Sequence, residues 1–208
     1  MFRVKGLKYR GILEIPEACI DFQKVTFITG ESGAGKTTFL RLLNKMVSPD
    51  SGAIELFGQN IADIPSVLYR RRVLTAPQSP VIYPGSIRDN LIFGLQIVRG
   101  DLPDDALLKE MLAKFGLDKE LDEPCTNLSG GEKQRISLIR LLLMDGEVFL
   151  LDEPTSALDS NSAAGVFAFA VQYLKERGKG LIAVSHDASL RERFGEDFIN
   201  LSKGGTAL

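Results

Sequence analysis

Val25-Thr26-Phe27-Ile28-Thr29, followed directly by Gly30-Glu31-Ser32-Gly33-Ala34-Gly35-Lys36-Thr37-Thr38, decides how this chain is read. A buried-type β run ends at Gly30, and a helical pattern opens at Lys36 and continues to about Met46. Between them lies GxxxxGK(S/T), in the strand–loop–helix setting that makes the pattern meaningful. Glycines let backbone wrap closely enough for N–H groups to converge on phosphate oxygens, and the start of the helix adds its positive end. Lys36 supplies a cation for the β- and γ-phosphates, and the Thr37 hydroxyl is a ligand for Mg²⁺. The stretch therefore reads as a nucleotide-phosphate cradle. By itself it does not separate kinases, GTPases and transport ATPases.

Further along, Val148-Phe149-Leu150-Leu151 ends in Asp152-Glu153. An apolar strand emerging beside the cradle presents Asp152 toward the metal. Glu153 is left to face an attacking water as base or orienter. Adjacent residues on extended chain point to opposite sides, so two carboxylates in a row suit two different tasks.

Other short apolar runs alternate with helical patterns, as in an α/β sheet. Ala53–Phe57, Leu181–Ser185 and Phe198–Leu201 read as strands. Helices are expected from Asp104-Asp105 to Phe115, with Leu107, Leu108, Met111, Leu112 and Phe115 on one face, from about Glu132 to Met144, and from Asp159 to about Arg177. From about Pro80 to Leu128 there are helical and turn signals but no long strand, which points to a helical insertion inside one α/β domain.

The 208 residues suit one such domain, and a composition 44% hydrophobic and 25% charged supplies a core. The net charge of -2 offers no bulk positive field for nucleic acid, and Arg70-Arg71-Arg72 reads as a solvated helix end. Cys19 and Cys125 form no CxxC and read as free thiols in a reducing compartment. The N-terminal MFRVKGLKYRG lacks the apolar core of a secretory signal, and ISLIRLLLM is interrupted by Arg140. A cytosolic location is expected, with the membrane reached through a partner.

Leu128-Ser129-Gly130-Gly131-Glu132 introduces the helical KQRISLIRLLLM. Small residues before a helix N-terminus make a second anion-binding corner. Two such corners are needed if one chain's cradle holds a triphosphate while Ser129-Gly130-Gly131 of a second chain covers the γ-phosphate.

LSGGEKQR and the downstream VFLLDEPTSALD closely resemble the signature, Walker B and D-loop of ABC ATPases. With the cradle, a glutamine in TAPQSP and a histidine closing LIAVSH, the resemblance covers nearly the whole chain in the family's order. It implies an α/β P-loop NTPase (RecA-like) core with a helical subdomain and a small antiparallel β-subdomain. It further implies a single domain over 1–208, with its core at about 1–78 and 146–208 and its helical part at about 79–145. It implies ATP and Mg²⁺ as cofactors, the latter on Thr37, Gln78 and Asp152. Gln78 resembles the Q-loop glutamine and His186 the switch histidine that contacts the γ-phosphate. Asp159 resembles the D-loop aspartate along a dimer seam, a residue that equally suits an N-cap. Tyr9, in LKY, matches the aromatic that the family often stacks on adenine, although a core tyrosine would look the same. Intact Glu153 and His186 imply a working ATPase.

The motifs occur once each, so two chains, as a homodimer or pseudo-dimer, are expected to form two composite sites, with the pore in a separate membrane permease at the inner face. SPVIYPGSIRDNLIFGLQI resembles an exporter pattern. Together with YRRRVLTAPQ it is similar to the FetA-type ATPases proposed to drive iron export. The alternatives are a motor of a lipid, lipoprotein or cell-division complex, or a non-transport ABC ATPase acting on nucleic acid or ribosomes. The second lacks the coiled-coil or zinc insertions usual there, and no nucleic acid is expected as a partner.

Overall fold

The computed structural model describes residues 1–202. The chain begins with β1 (Phe2–Tyr9), β2 (Leu13–Ile20) and β3 (Val25–Gly30), then α1 (Lys36–Leu43), β4 (Ser51–Leu56) and β5 (Gln59–Asn60). It continues through α2 (Ser66–Arg72), β6 (Val73–Ala76), α3 (Ile87–Val98), α4 (Asp105–Lys114) and α5 (Gly130–Leu142). It closes with β7 (Val148–Asp152), α6 (Ser160–Glu176), β8 (Gly180–Val184), α7 (Ala188–Phe194) and β9 (Asp197–Leu201).

The strands form two sheets. One is parallel, in the order β6-β7-β8-β3-β9, and the other is antiparallel, in the order β2-β1-β4-β5. The run at Ala53–Phe57, read as a strand, forms β4 and pairs with β1 in the antiparallel sheet. A short run carries no label for the sheet it joins, because pairing is decided by tertiary contacts.

Side chains of the parallel strands alternate between two cores, as a period of two demands. Val25, Phe27, Phe149, Leu151, Leu181 and Ala183 face one core, which also holds Ile87, Leu91, Leu108, Met111, Phe115, Ile136 and Ile139 from α3, α4 and α5, and Val166 and Phe167 from α6. Ile28, Val148, Leu150, Ile182 and Val184 face the other, shared with α1 and the antiparallel sheet. The helices of the insertion thus bury their apolar faces in the same core as the central sheet.

Two of these helices start on well-formed caps. Ser129 and Glu132 close a reciprocal capping box on α5, and Ser86 with Asp89 does the same on α3. Asp159 caps α6 by accepting from the Ser162 N–H at 3.0 Å. Among the described residues, no helix is long and apolar enough to cross a membrane.

Candidate functional site

The parallel strands run in one direction, so the C-terminal ends of β3, β7 and β8 open on one edge of the sheet, where ligands of open α/β sheets bind. There the chain forms a cavity of about 420 Å³ lined by Ser32, Gly33, Gly35, Lys36, Thr37, Thr38, Gln78, Asp152, Glu153, His186, Val184 and Ile12. The loop from Gly30 to Gly35 is shaped by glycine. Gly35 sits at φ 90°, and a Cβ there would lie 2.7 Å from Leu13 Cδ2, so both conformation and space require its absence. No side chain caps α1, whose first residues line the cavity. Ala34 is fully buried under the loop, whereas Glu31 and Ser32 are exposed. Lys36 is 9% exposed and bends back so that Nζ donates to Gly30 O at 2.8 Å and to Glu31 O at 2.9 Å.

Across the cavity, Asp152 ends β7 and Glu153 follows it. Glu153 has φ 51°, unusual for a residue with a side chain, and is held by its N–H donating to Val184 O at 3.0 Å. Its Oε2 accepts from the His186 backbone N–H at 3.1 Å. Its Oε1 accepts no hydrogen bond from the described residues, and His186 Nε2 stands 3.5 Å from it. Burial pushes the Glu153 carboxyl above its ordinary value, only partly offset by the His186 N–H and the imidazole. A buried, partly unpaired carboxylate with a raised proton affinity has the properties of a general base. A second cavity of about 290 Å³ adjoins the first, sharing Gln78, Glu153 and His186 and adding Thr155, Ser156, Leu158 and Ser160.

The geometry thus gathers Ser32, Gly33, Gly35 to Thr38, Gln78, Asp152, Glu153 and His186 at one place, while Gly30, Glu31 and Ala34 do not line it. Tyr9 does not line it either. It is 8% exposed, packed into the core around the antiparallel sheet, with the Arg10 guanidinium 5.3 Å from its ring centre. Ile12, 41% exposed, lines the cavity. Ser129, Gly130, Gly131 and Glu132 also stand apart: Ser129 and Gly130 are exposed, and none of the four lines either cavity. Asp159 is exposed and engaged as the cap of α6.

Threonine hydroxyl, glutamine amide and aspartate carboxylate are hard oxygen donors. Their convergence in Thr37, Gln78 and Asp152 fits Mg²⁺. Among the described residues, no group of three or more His, Cys, Asp or Glu side chains is placed to hold a metal ion.

The family model described as ABC transporter matches residues 15–156. The chain is 40% identical over 161 residues to the "Probable iron export ATP-binding protein FetA" of Escherichia coli, covering 77% of this chain and 71% of that one. It is 33% identical over 221 residues to the "Nickel import ATP-binding protein NikO" of Rhodobacter capsulatus, covering 99% and 87%. Among solved structures it resembles a dimeric ATP-binding cassette in a post-hydrolysis state bound to ADP and Pi. The TM-score is 0.84 and the identity 25%, over 100% of this chain and 96% of that one. A phosphate cradle opposite a buried carboxylate, within a chain matching this family model over most of its length, has one reading: the chain belongs to the ABC transporter family, as an ATP-binding subunit that hydrolyses ATP.

Proposed function

We propose that this subunit drives export of a solute, with iron as the first candidate, through a separate membrane permease at whose inner face it sits. The similarity to FetA supports the direction and the metal. The import protein NikO among the relatives is why the permease, not this chain, is taken to select substrate and direction.

Lys36 is the cation for the β- and γ-phosphates, and the loop from Gly30 to Gly35 with Thr37 and Thr38 wraps them. Thr37, Gln78 and Asp152 would hold Mg²⁺, which when bound would neutralise charge building on the phosphate oxygens. Glu153 takes the proton of the attacking water on Oε1. His186 holds the carboxylate through its backbone N–H and turns its imidazole to the γ-phosphate. Ile12, rather than Tyr9, offers the apolar surface beside the base.

The observation carrying the two-chain mechanism is that the turn at Ser129 to Glu132 lines neither cavity of its own chain. Two chains, face to face, bring the turn of one over the triphosphate of the other, with Asp159 along the seam. The segment from about 79 to 145 moves as the helical part of a single domain whose core is about 1–78 and 146–208. Gln78, exposed at their junction, senses that motion. The groove beside it, lined by Leu40, Met46, Leu74, Leu141 and Met144, receives the permease.

The experiment is reconstitution in proteoliposomes with a small polytopic membrane protein of the kind that serves as permease to such subunits. Turnover raised by the membrane protein, with ATP-dependent outward movement of iron, is expected. Turnover raised by nucleic acid and indifferent to the membrane protein would overturn the transport reading.

A further inference from the structure

Gln134 stands in the first turns of α5, behind the Ser129–Glu132 turn, and is 4% exposed. Its side-chain amide reaches out of the helix to the segment after β7. Nε2 donates to Glu153 O at 3.0 Å and to Ser156 Oγ at 3.3 Å, while Oε1 accepts from the Ala157 N–H at 2.8 Å. We infer that Gln134 is a positioning residue for ATP hydrolysis, through which the helix bearing the Ser129–Glu132 turn sets the backbone of Glu153 and of Ser156-Ala157. The inference rests on the roles proposed for Glu153 and for that turn.

Glutamine is suited to this place. A buried amide offers donors and an acceptor at once, whereas glutamate has no donor when ionised and lysine no acceptor. Glu153 adopts φ 51°, a conformation that persists only when its surroundings over-determine it. Its N–H is fixed by β8 and its carbonyl by Gln134, so the peptide groups on both sides of the strained residue are held. A second contact locks the same two segments. A Cβ on Gly131 would lie 2.9 Å from Leu158 Cδ2 and 3.2 Å from Ala157 O, so the turn abuts the segment leading to Asp159. Displacement of the α5 N-terminus therefore carries the loop of Glu153 with it. In a two-chain sandwich, that N-terminus rests on the partner's triphosphate. Gln134 then ties a chain's hold on its partner's nucleotide to the aim of its own Glu153.

The test is Gln134→Met, which keeps volume and removes every polar contact. Misplacing a reacting group by a fraction of an ångström to 1 Å is expected to cost about 10- to 100-fold in kcat. The affinity for a fluorescent ATP analogue should stay within about twofold, since Gln134 lines neither cavity. A residue that only packs would lower the melting temperature and leave kcat per nucleotide-binding site unchanged, and that result overturns the inference. Should Gln134→Met fail to fold, Gln134→Glu keeps the acceptor for Ala157 and loses the donor to Glu153. The same fall in kcat is expected, and a wild-type rate overturns it. Glu153→Gln is run alongside: if it turns over normally, the assignment of Glu153 has failed, independently of Gln134.

Discussion

The helices α1 and α5 both begin on small residues, and they begin differently. At α1, Gly35 provides no cap, the loop before it is glycine-shaped, and Lys36, Thr37 and Thr38 line the cavity. At α5, Ser129 accepts from the Glu132 N–H at 3.2 Å and Glu132 Oε2 accepts from the Ser129 N–H at 2.8 Å, with Lys119 Nζ 3.6 Å from the other carboxylate oxygen. One N-terminus is open to an anion inside its own chain. The other is internally satisfied, exposed, and carried on a helix tied to the Glu153 loop. The first suits a phosphate held within its own chain. The second is stable alone, and under the two-chain proposal it meets the anion that another chain presents.

The largest effect is expected on the α1 side, opposite the cradle. Glu153→Gln should lower kcat by about 10²- to 10⁴-fold, the usual contribution of a general base, while nucleotide binding persists. Phosphate release and fluorescent-nucleotide titration read the two quantities separately, and retained turnover would remove Glu153 from its role. Next comes Gly130→Glu at α5. Its Cβ has room, the nearest atom being Ala157 Cβ at 3.9 Å, and a carboxylate suits a helix N-terminus. Folding should be kept, while the negative charge repels a triphosphate and lowers turnover by about 10²-fold, comparable to losing a transition-state donor. If the turn has no nucleotide to meet, turnover will not change.

A smaller effect comes from pH. The base works ionised, and burial raises the Glu153 pKa. Activity is therefore present above that raised value and lost as pH falls through it, about tenfold per unit beyond the midpoint. A profile of kcat/KM should show its acid limb above the ordinary glutamate range; a limb at the ordinary value would contradict the burial reading. Ser129→Ala should have the smallest effect on the fold, costing about 1 kcal/mol by urea titration. Hydrogen bonding to Ser129 lowers the Glu132 pKa. The stability this gives is present above the ordinary glutamate value and lost as pH falls through the lowered one. In Ser129→Ala that pH dependence should shrink.

The α1 side was largely legible in sequence. Val25–Gly30 and Val148–Asp152 are unbroken apolar runs ending in marked residues, and they form β3 and β7. The cap on α5 could be read as Ser-x-x-Glu from Ser129 to Glu132. What was not legible depended on tertiary pairing. β6 is four residues long and follows three arginines, so neither length nor periodicity marks it. Tyr9 and Ile12 flank a tight turn where Arg10 and Gly11 have φ 47° and 64°. There the alternation that orients strand side chains stops, and Ile12 points to the cavity while Tyr9 stays in the core. Gln134 lies in the quoted LSGGEKQR, but its partners at Glu153, Ser156 and Ala157 are distant in sequence, and only the packing of α5 against the end of β7 brings them together.

Mixing two broken chains tests the shared site most directly. Lys36→Ala damages the cradle and leaves the Ser129–Glu132 turn sound; Gly130→Glu does the reverse. Each alone should be nearly inactive, and their mixture should regain phosphate release, because a mixed pair assembles one sound cradle under one sound turn. A mixture as inactive as its components, with mixed pairs demonstrably formed, would contradict the claim that each nucleotide is held between two chains.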